Sequence, residues 1–304
     1  MEWEELIADF RELGGIAENV RLGHGPFGRG IFVCDPDKPA VLHASENLLF
    51  RVSDLELHDG QLRLKPQASA GERERRFFDA YERHFGWGAG GLEEGWNLQK
   101  QWSELPAGVT GFLATMGVLD DPERRFMPPT VESSLERFLQ ARWFVYRDDP
   151  KIVPLVDLLN YSSYTNGFTI KDGIGVSGRF PSEVVVRYNL GDTWGRAMTY
   201  GFACIGAFAY SLKLAADLPG GKKIVVRREI SASEARYGVR FPRASISGDT
   251  LDMPFLLLGS ATGSDLPRAV FREIVSPFLT EPAADGAFDG LAHFNRMQFL
   301  KLLH

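Results

Sequence analysis

The chain has 304 residues, 44% of them hydrophobic, with 34 Lys and Arg against 40 Asp and Glu for a net charge of −6. That composition predicts a folded core, and at ~150 residues per domain the length predicts two lobes. The acidic balance argues against nucleic acid as a partner, because gripping a phosphate backbone draws on clustered Lys and Arg to displace counterions.

Cys34 and Cys204 are the only cysteines, which excludes a zinc cluster or a disulfide framework and leaves one bridge open. None of the six histidines has metal-ligand spacing, so no metal is expected. The start MEWEEL lacks the basic residues and apolar core of a signal peptide, and no run approaches the ~20 apolar residues of a membrane span. These features predict no membrane partner and a cytoplasmic location, with the nucleus left open. Neither a G-x-S-x-G elbow nor a phosphate loop occurs, which removes the hydrolase and kinase readings.

In chain order, Trp3, Leu6, Ile7, Phe10 and Leu13 recur at three- and four-residue spacing before Gly14-Gly15, predicting an amphipathic helix with a glycine stop. Gly23, Gly25, Gly28 and Gly30 then punctuate a turn that opens into the β-rich runs 31–33 and 40–42, read as a hairpin. Gly23, Gly25 and Gly28 spell G-x-G-x-x-G. A dinucleotide fingerprint needs a strand before the glycines and a helix after them, and here Pro26 interrupts and a strand follows.

ERERRFFDAYERHF over 72–85 predicts a charged helix inside a helical insert, followed by a glycine-rich break. Residues 130–148 place Leu135, Phe138, Leu139, Arg142, Trp143 and Tyr146 at helical spacing, so a helix is expected there, capped by Ser133 or Ser134 and closing on Arg147. The run 153–159 is too short for periodicity to decide between strand and helix. Residues 168–170 and 174–176 read as a hairpin on Asp172-Gly173, and 184–186 as a strand. Residues 203–218 read as a helix, 222–228 and 237–246 as strands, 266–279 and 287–302 as helices, with Pro219-Gly220-Gly221 as the boundary between lobes.

Two stretches organise the reading. IVPLVDLLNYSSYTNG over 152–167 ends an apolar run in Asp157, Asn160, Tyr161, Ser162, Ser163 and Tyr164. VVVRYNLGDTWGRAMTYGF over 184–202 ends on Tyr200-Gly201-Phe202. A site is expected where the chain brings two such polar-aromatic clusters together.

The order of these landmarks resembles SET-domain methyltransferases, specifically the Rubisco large-subunit methyltransferase-like class. The family's G-x-G turn resembles Gly28-Arg29-Gly30, and its W-A-x-x-x-V-x-S-R helix end resembles residues 140–147. Its P-x-x-D-x-L-N-H-S resembles 154–162, its G-E strand Ser182 to Tyr188, and its final S-N to Y-G-F segment 191–202. The resemblance covers about residues 20–202 and departs from the pattern at Tyr161, where the family keeps histidine, and at Gln140, Tyr146 and Ser182.

The resemblance implies an α+β protein: a β-rich SET fold of short sheets with a threaded crossing over 1–218, split by a helical insert at about 61–129, then a C-terminal lobe over 219–304 with a substrate-binding role. It implies S-adenosylmethionine (AdoMet) as methyl donor and a protein or peptide lysine as acceptor. Gly28, Arg29, Gly30, Arg147, Asn160 and Tyr161 would bind the cofactor, Arg147 through a bidentate clamp on its carboxylate. Asp157 and Tyr188 would line the acceptor's path, Asp157 otherwise being a buried carboxylate and Tyr188 a structural one, and Tyr200 would be catalytic. A histidine nitrogen or a non-protein amine is the alternative acceptor, and a catalytically silent SET module that binds a protein partner is the alternative from another class.

Overall fold

A computed structural model describes residues 2–115, 122–162, 165–188, 193–202, 213–227, 229, 233–236, 239–257 and 265–303. Ser163, Tyr164, Gly191, Asp192 and Cys204 lie outside the described residues, as does most of the helix expected over 203–218. The chain packs into two compact units, one of Met1–Gln101 with Pro128–Asn189, the other of Trp102–Met127 with Leu190–His304.

The first unit opens with helix α1 (Trp3–Glu12), which buries Leu6, Ile7 and Phe10 as the spacing requires and ends where Gly14 adopts φ 86°. Short strands follow: β1 (Ile16–Glu18), β2 (Val20–Gly25), β3 (Gly28–Val33), β4 (Ala40–Ser45), β5 (Phe50–Arg51), β6 (Leu55–His58) and β7 (Gln61–Leu64). Helices α2 (Glu72–His84), α3 (Gly91–Ser103) and α4 (Val131–Arg142) come next. Then come β8 (Phe144–Tyr146), β9 (Asp149–Ile152), β10 (Asn160–Tyr161), β11 (Thr169–Ile170), β12 (Gly173–Gly178) and β13 (Val185–Val186).

The strands form small antiparallel groups, β1-β4-β12-β11, β2-β3, β5-β9-β8 and β6-β7, and one parallel pair, β10-β13. The architecture is α+β with short sheets, as expected. The β11-β12 hairpin turns on Asp172, at φ 54°, where the sequence placed it. The glycine turn is the β2-β3 hairpin itself; β4, expected as the second arm, pairs instead with β1 and β12.

Three other expectations give way. The insert is not all helical at its start, because Gln61–Leu64 pairs with Leu55–His58 before α2 begins. The helix expected over 130–148 stops at Arg142. Thr130, not Ser133 or Ser134, caps it in a reciprocal box with Ser133; Trp143 turns extended (φ −76°, ψ 154°) and Phe144–Tyr146 pairs with β9. Aromatic and β-branched residues spaced like a helix suit a strand better when a partner strand is at hand. Arg147 and Asp148 then close a two-residue hairpin turn at φ 51° and 60°, so Arg147 does not end a helix.

In the second unit, Leu214–Leu218 is a strand rather than the end of a helix. It pairs with Lys222–Val226, so Pro219-Gly220-Gly221 is a hairpin turn and not a lobe boundary. Lys222–Val226 continues the sheet to Thr250–Met253 and Ser245–Ser247, and Ser233–Arg236 pairs with Val239–Pro242. Leu218, Ile224, Val226, Leu251 and Met253 meet Phe271, Val275 and Phe288 of the late helices Asp265–Val275 and Glu281–Leu303 in a separate core. No helix among the described residues is long and apolar enough to cross a membrane.

Candidate active site

The site is built where residues 182–187 run between two parts of the first unit. On one side, Val33 N donates to Ser182 O and Val184 N to Ile31 O, both at 2.8 Å, tying the segment to β3. On the other, β13 runs parallel to β10 with Asn160 beside Val185 and Tyr161 beside Val186; Ser162 N donates to Val186 O, and Arg187 N to Asn166 O. Because β-strand side chains alternate faces, this register sends Glu183 and Asn160 toward the glycine hairpin.

There the Asn160 amide Nδ2 donates to Glu183 Oε1 at 2.6 Å and to Arg29 O at 3.2 Å. Gly30 is required by that approach, since a Cβ on it would stand 2.6 Å from both Asn160 Nδ2 and Glu183 Oε1. Gly28 differs: its φ of 89° serves the turn, and nothing lies within 4 Å of where its Cβ would be. The Asn160-Glu183 pair therefore fills the space beside Gly30, while the space beside Gly28 at the turn is open.

No hydrogen bond among the described residues uses Asn160 Oδ1. Together with the Glu183 carboxylate it makes an acceptor-rich corner, which suits a cationic group such as an ammonium or sulfonium. AdoMet carries both, so its cationic end fits these residues. Its carboxylate has no such match at this corner.

Beside the corner, Tyr161 and Tyr188 meet edge to face with centroids 5.5 Å apart. Tyr188 stacks on Phe168 at 6.3 Å, and Phe168 meets Phe144 at 4.7 Å. Tyr188 Oη donates to Leu159 O. Tyr161 is half-buried, and its ring fits against Tyr188 without displacing β10 from β13.

Three residues before Asn160 lies a second, fully buried polar group. The Asp157 side chain is 1% exposed; it accepts a hydrogen bond from Tyr81 Oη of α2 and pairs with Arg142 of α4 at 3.5 Å. Arg142 also pairs with Glu94 of α3 at 2.9 Å and lies over the Phe138 ring, 4.7 Å from its centroid. Burial pushes the Asp157 carboxyl up from its usual range against the pull of Arg142 and of the Tyr81 hydrogen bond. Burial also works against the Arg142 charge, but Glu94 and Asp157 outweigh it and hold the guanidinium protonated.

Glu82, 2% exposed, is pushed up to about 8 by burial, although Trp87 N donates to its Oε2 at 2.9 Å. The helices that carry this cluster touch backbone to backbone: a Cβ on Gly95 of α3 would stand 2.0 Å from Ser134 O of α4.

The sequence-derived site residues thus separate. Arg29, Gly30 and Asn160 come together, with Gly28 at the hairpin turn and Tyr161 and Tyr188 alongside. Asp157 has a buried side chain with its oxygens engaged by Tyr81 and Arg142. Arg147 is in an exposed turn, its guanidinium paired with both Glu46 carboxylate oxygens and packed over Tyr146, and it is not brought to Asn160. Tyr200 belongs to the second unit, where it ends the helix Thr193–Tyr200, half-buried and stacked on Phe202 at 5.9 Å across Gly201 at φ 73°.

Sequence reasoning missed Arg142, Glu94, Tyr81 and Glu82. A signal existed for two of them: Arg142 follows Phe138 by one helical turn on an apolar face, and Tyr81 follows Phe77 and Phe78 in the same way, positions where a polar group implies a buried partner.

No protein-family model matches the chain, and no curated protein matches it in sequence. Among the solved structures similar to it are two of one SET domain. One is the SET domain of LSMT bound to lysine and AdoHcy, at 15% identity and a TM-score of 0.40; the match covers 71% of this chain but only 60% of that one. The other is the SET domain of LSMT bound to methyl-lysine and AdoHcy, at 15% identity and a TM-score of 0.38, covering 98% of this chain and 92% of that one. Among the described residues, no group of three or more His, Cys, Asp or Glu is placed to hold a metal ion.

Proposed function

We propose that the chain is an AdoMet-dependent protein N-methyltransferase of the SET type, in the Rubisco large-subunit methyltransferase-like class, with a lysine amine as acceptor. One observation carries this reading. The β10-β13 crossing sets Asn160 and Glu183 against the Gly28–Gly30 hairpin, so three separate stretches that resemble SET motifs converge on one acceptor-rich corner.

In this reading Asn160 Oδ1 and Glu183 hold the ammonium end of the cofactor, and the open side of the hairpin at Gly28 admits its body. The cofactor supplies an electrophilic methyl group. Tyr200 orients the acceptor nitrogen, and desolvation beside a positive charge favours the neutral amine, so positioning rather than a general base supplies the rate. A peptide acceptor follows from the class, and residues 219–304 are a substrate-binding lobe in the same reading.

A silent, partner-binding module is the second reading. It is favoured by the Glu183-Asn160 pair, which fills the space Gly30 leaves and satisfies itself without a ligand.

Calorimetry with AdoMet separates the two. Saturable heat, with labelled methyl transfer into lysate protein that drops sharply in Tyr200→Phe, is expected of the enzyme; neither heat nor a thermal shift would leave only the silent module. Transfer that persists in Tyr200→Phe would remove Tyr200 from the reaction.

A further inference from the structure

Asn160 is held from both ends by the same turn of one helix. From one end, Tyr81 of α2 donates to Asp157, three residues upstream of Asn160. The intervening chain is a tight 3-10 turn, Val156–Leu158, with Asp157 N bonded to Val153 O at 3.0 Å and Leu158 N to Leu155 O at 3.2 Å. From the other end, Asn160 Nδ2 donates to the Arg29 carbonyl, and the Arg29 guanidinium reaches back to donate to Phe85 O, the C-cap of α2, at 2.5 Å. Tyr81 and Phe85 are one helical turn apart, so the contacts close a ring: α2, Asp157, Asn160, Arg29, and α2 again.

A strained backbone lies just upstream of the ring. Leu155, fully buried, has φ 71° and ψ −41°, a conformation that a branched L-residue adopts only when its surroundings impose it. Left free, that turn would relax and carry Asn160 away from Glu183. Tyr81 and the Asp157 side chain are both buried, and Arg142 secures the far oxygen of Asp157, so the turn has a fixed anchor.

We propose that Tyr81 is a positioning residue: acting through Asp157, it makes the last turn of α2 set where Asn160 presents its amide. The insert is then part of the cofactor site's geometry without touching the ligand. This rests on the reading that Asn160 binds AdoMet, and it has a readout that does not.

The first measurement is hydrogen exchange in the unliganded protein. Tyr81→Phe keeps the ring and loses the hydroxyl; amides of residues 157–161 are expected to exchange about tenfold faster in it, the scale of one lost buried hydrogen bond, while the rest of the unit keeps its protection. Phe78→Leu, a core change on the same helix, is the control and should show no selective effect at 157–161. Equal behaviour of the two variants there would overturn the proposal.

The second measurement is AdoMet affinity. Tyr81→Phe should weaken it about tenfold, and the double variant with Asn160→Ala should bind no worse than Asn160→Ala alone, because both remove the same contact. Additive losses would show that Tyr81 acts elsewhere. A wild-type protein that does not bind AdoMet defeats the proposed function, and the exchange comparison still decides the role of Tyr81.

Discussion

Asp157 and Asn160 are three residues apart and meet opposite fates. Asp157 is sealed between α2 and α4, with a phenol and a guanidinium on its two oxygens. Asn160, half-buried, gives its amide to protein partners, and among the described residues its carbonyl oxygen accepts no hydrogen bond. Under the proposed function the difference teaches where stability and function divide in this chain: the sealed carboxylate goes to the scaffold, and the half-open amide to the site. A buried group spends its bonding capacity on the fold, whereas a site keeps some in reserve.

The largest expected effect tests the sealed side. Asp157→Ala strips Arg142 of a buried partner and should cost about 3 to 5 kcal/mol of unfolding free energy by denaturant titration. A loss under about 1 kcal/mol would place the pair among surface bridges and dissolve the contrast.

The same cluster predicts a pH dependence. Burial pushes the Glu82 carboxyl up to about 8 in the fold from about 4.5 in the unfolded chain, so the folded state keeps a proton that the unfolded chain releases. Stability from this group is therefore full below about pH 4.5 and falls as pH rises toward 8, by on the order of a few kcal/mol. Thermal unfolding followed between those limits should show a declining midpoint, and Glu82→Gln, which cannot ionise, should flatten it.

On the half-open side, Asn160→Ala removes two hydrogen bonds from a partly solvated group and should cost only about 1 to 2 kcal/mol of stability while weakening AdoMet binding about tenfold or more. A stability loss as large as that of Asp157→Ala would make Asn160 scaffold as well.

The smallest effect is expected at Arg147. It is 70% exposed at its side chain and paired with Glu46, and Arg147→Ala should change stability by no more than about 1 kcal/mol and leave ligand binding untouched. A clear loss of affinity would return it to the cofactor's carboxylate.

Much of this division was legible in the sequence. The glycine turn, the Asp-Gly turn, α1 and α2 follow from glycine placement and periodicity, both local signals, whereas the pairing of Asn160 with the hairpin was implied only by the family resemblance. Arg147 was misplaced because Trp143 and Tyr146 sit at helical spacing in a segment that a distant strand, β9, claims for a sheet. Asp157 was ambiguous because its partners, Tyr81 and Arg142, come from helices far along the chain, and a carboxylate's burial is not written in its neighbours. The second unit was read least well at Leu214–Leu218, where alternating burial replaced the expected helix only because Lys222–Val226 offers a ladder.

The contact of Gly95 with Ser134 bears on how the chain reaches this state. Bare backbone meets bare backbone there, so α3 and α4 dock in a close register that the Arg142-Glu94 pair also joins. Each helix can form from local contacts, α4 helped by its Thr130-Ser133 cap, but they join only after the loop between them has closed. The join thus belongs late in folding. Gly95→Ala is then a change that hastens unfolding far more than it slows folding, and the lifetime of the native state, more than its rate of formation, is what this glycine governs.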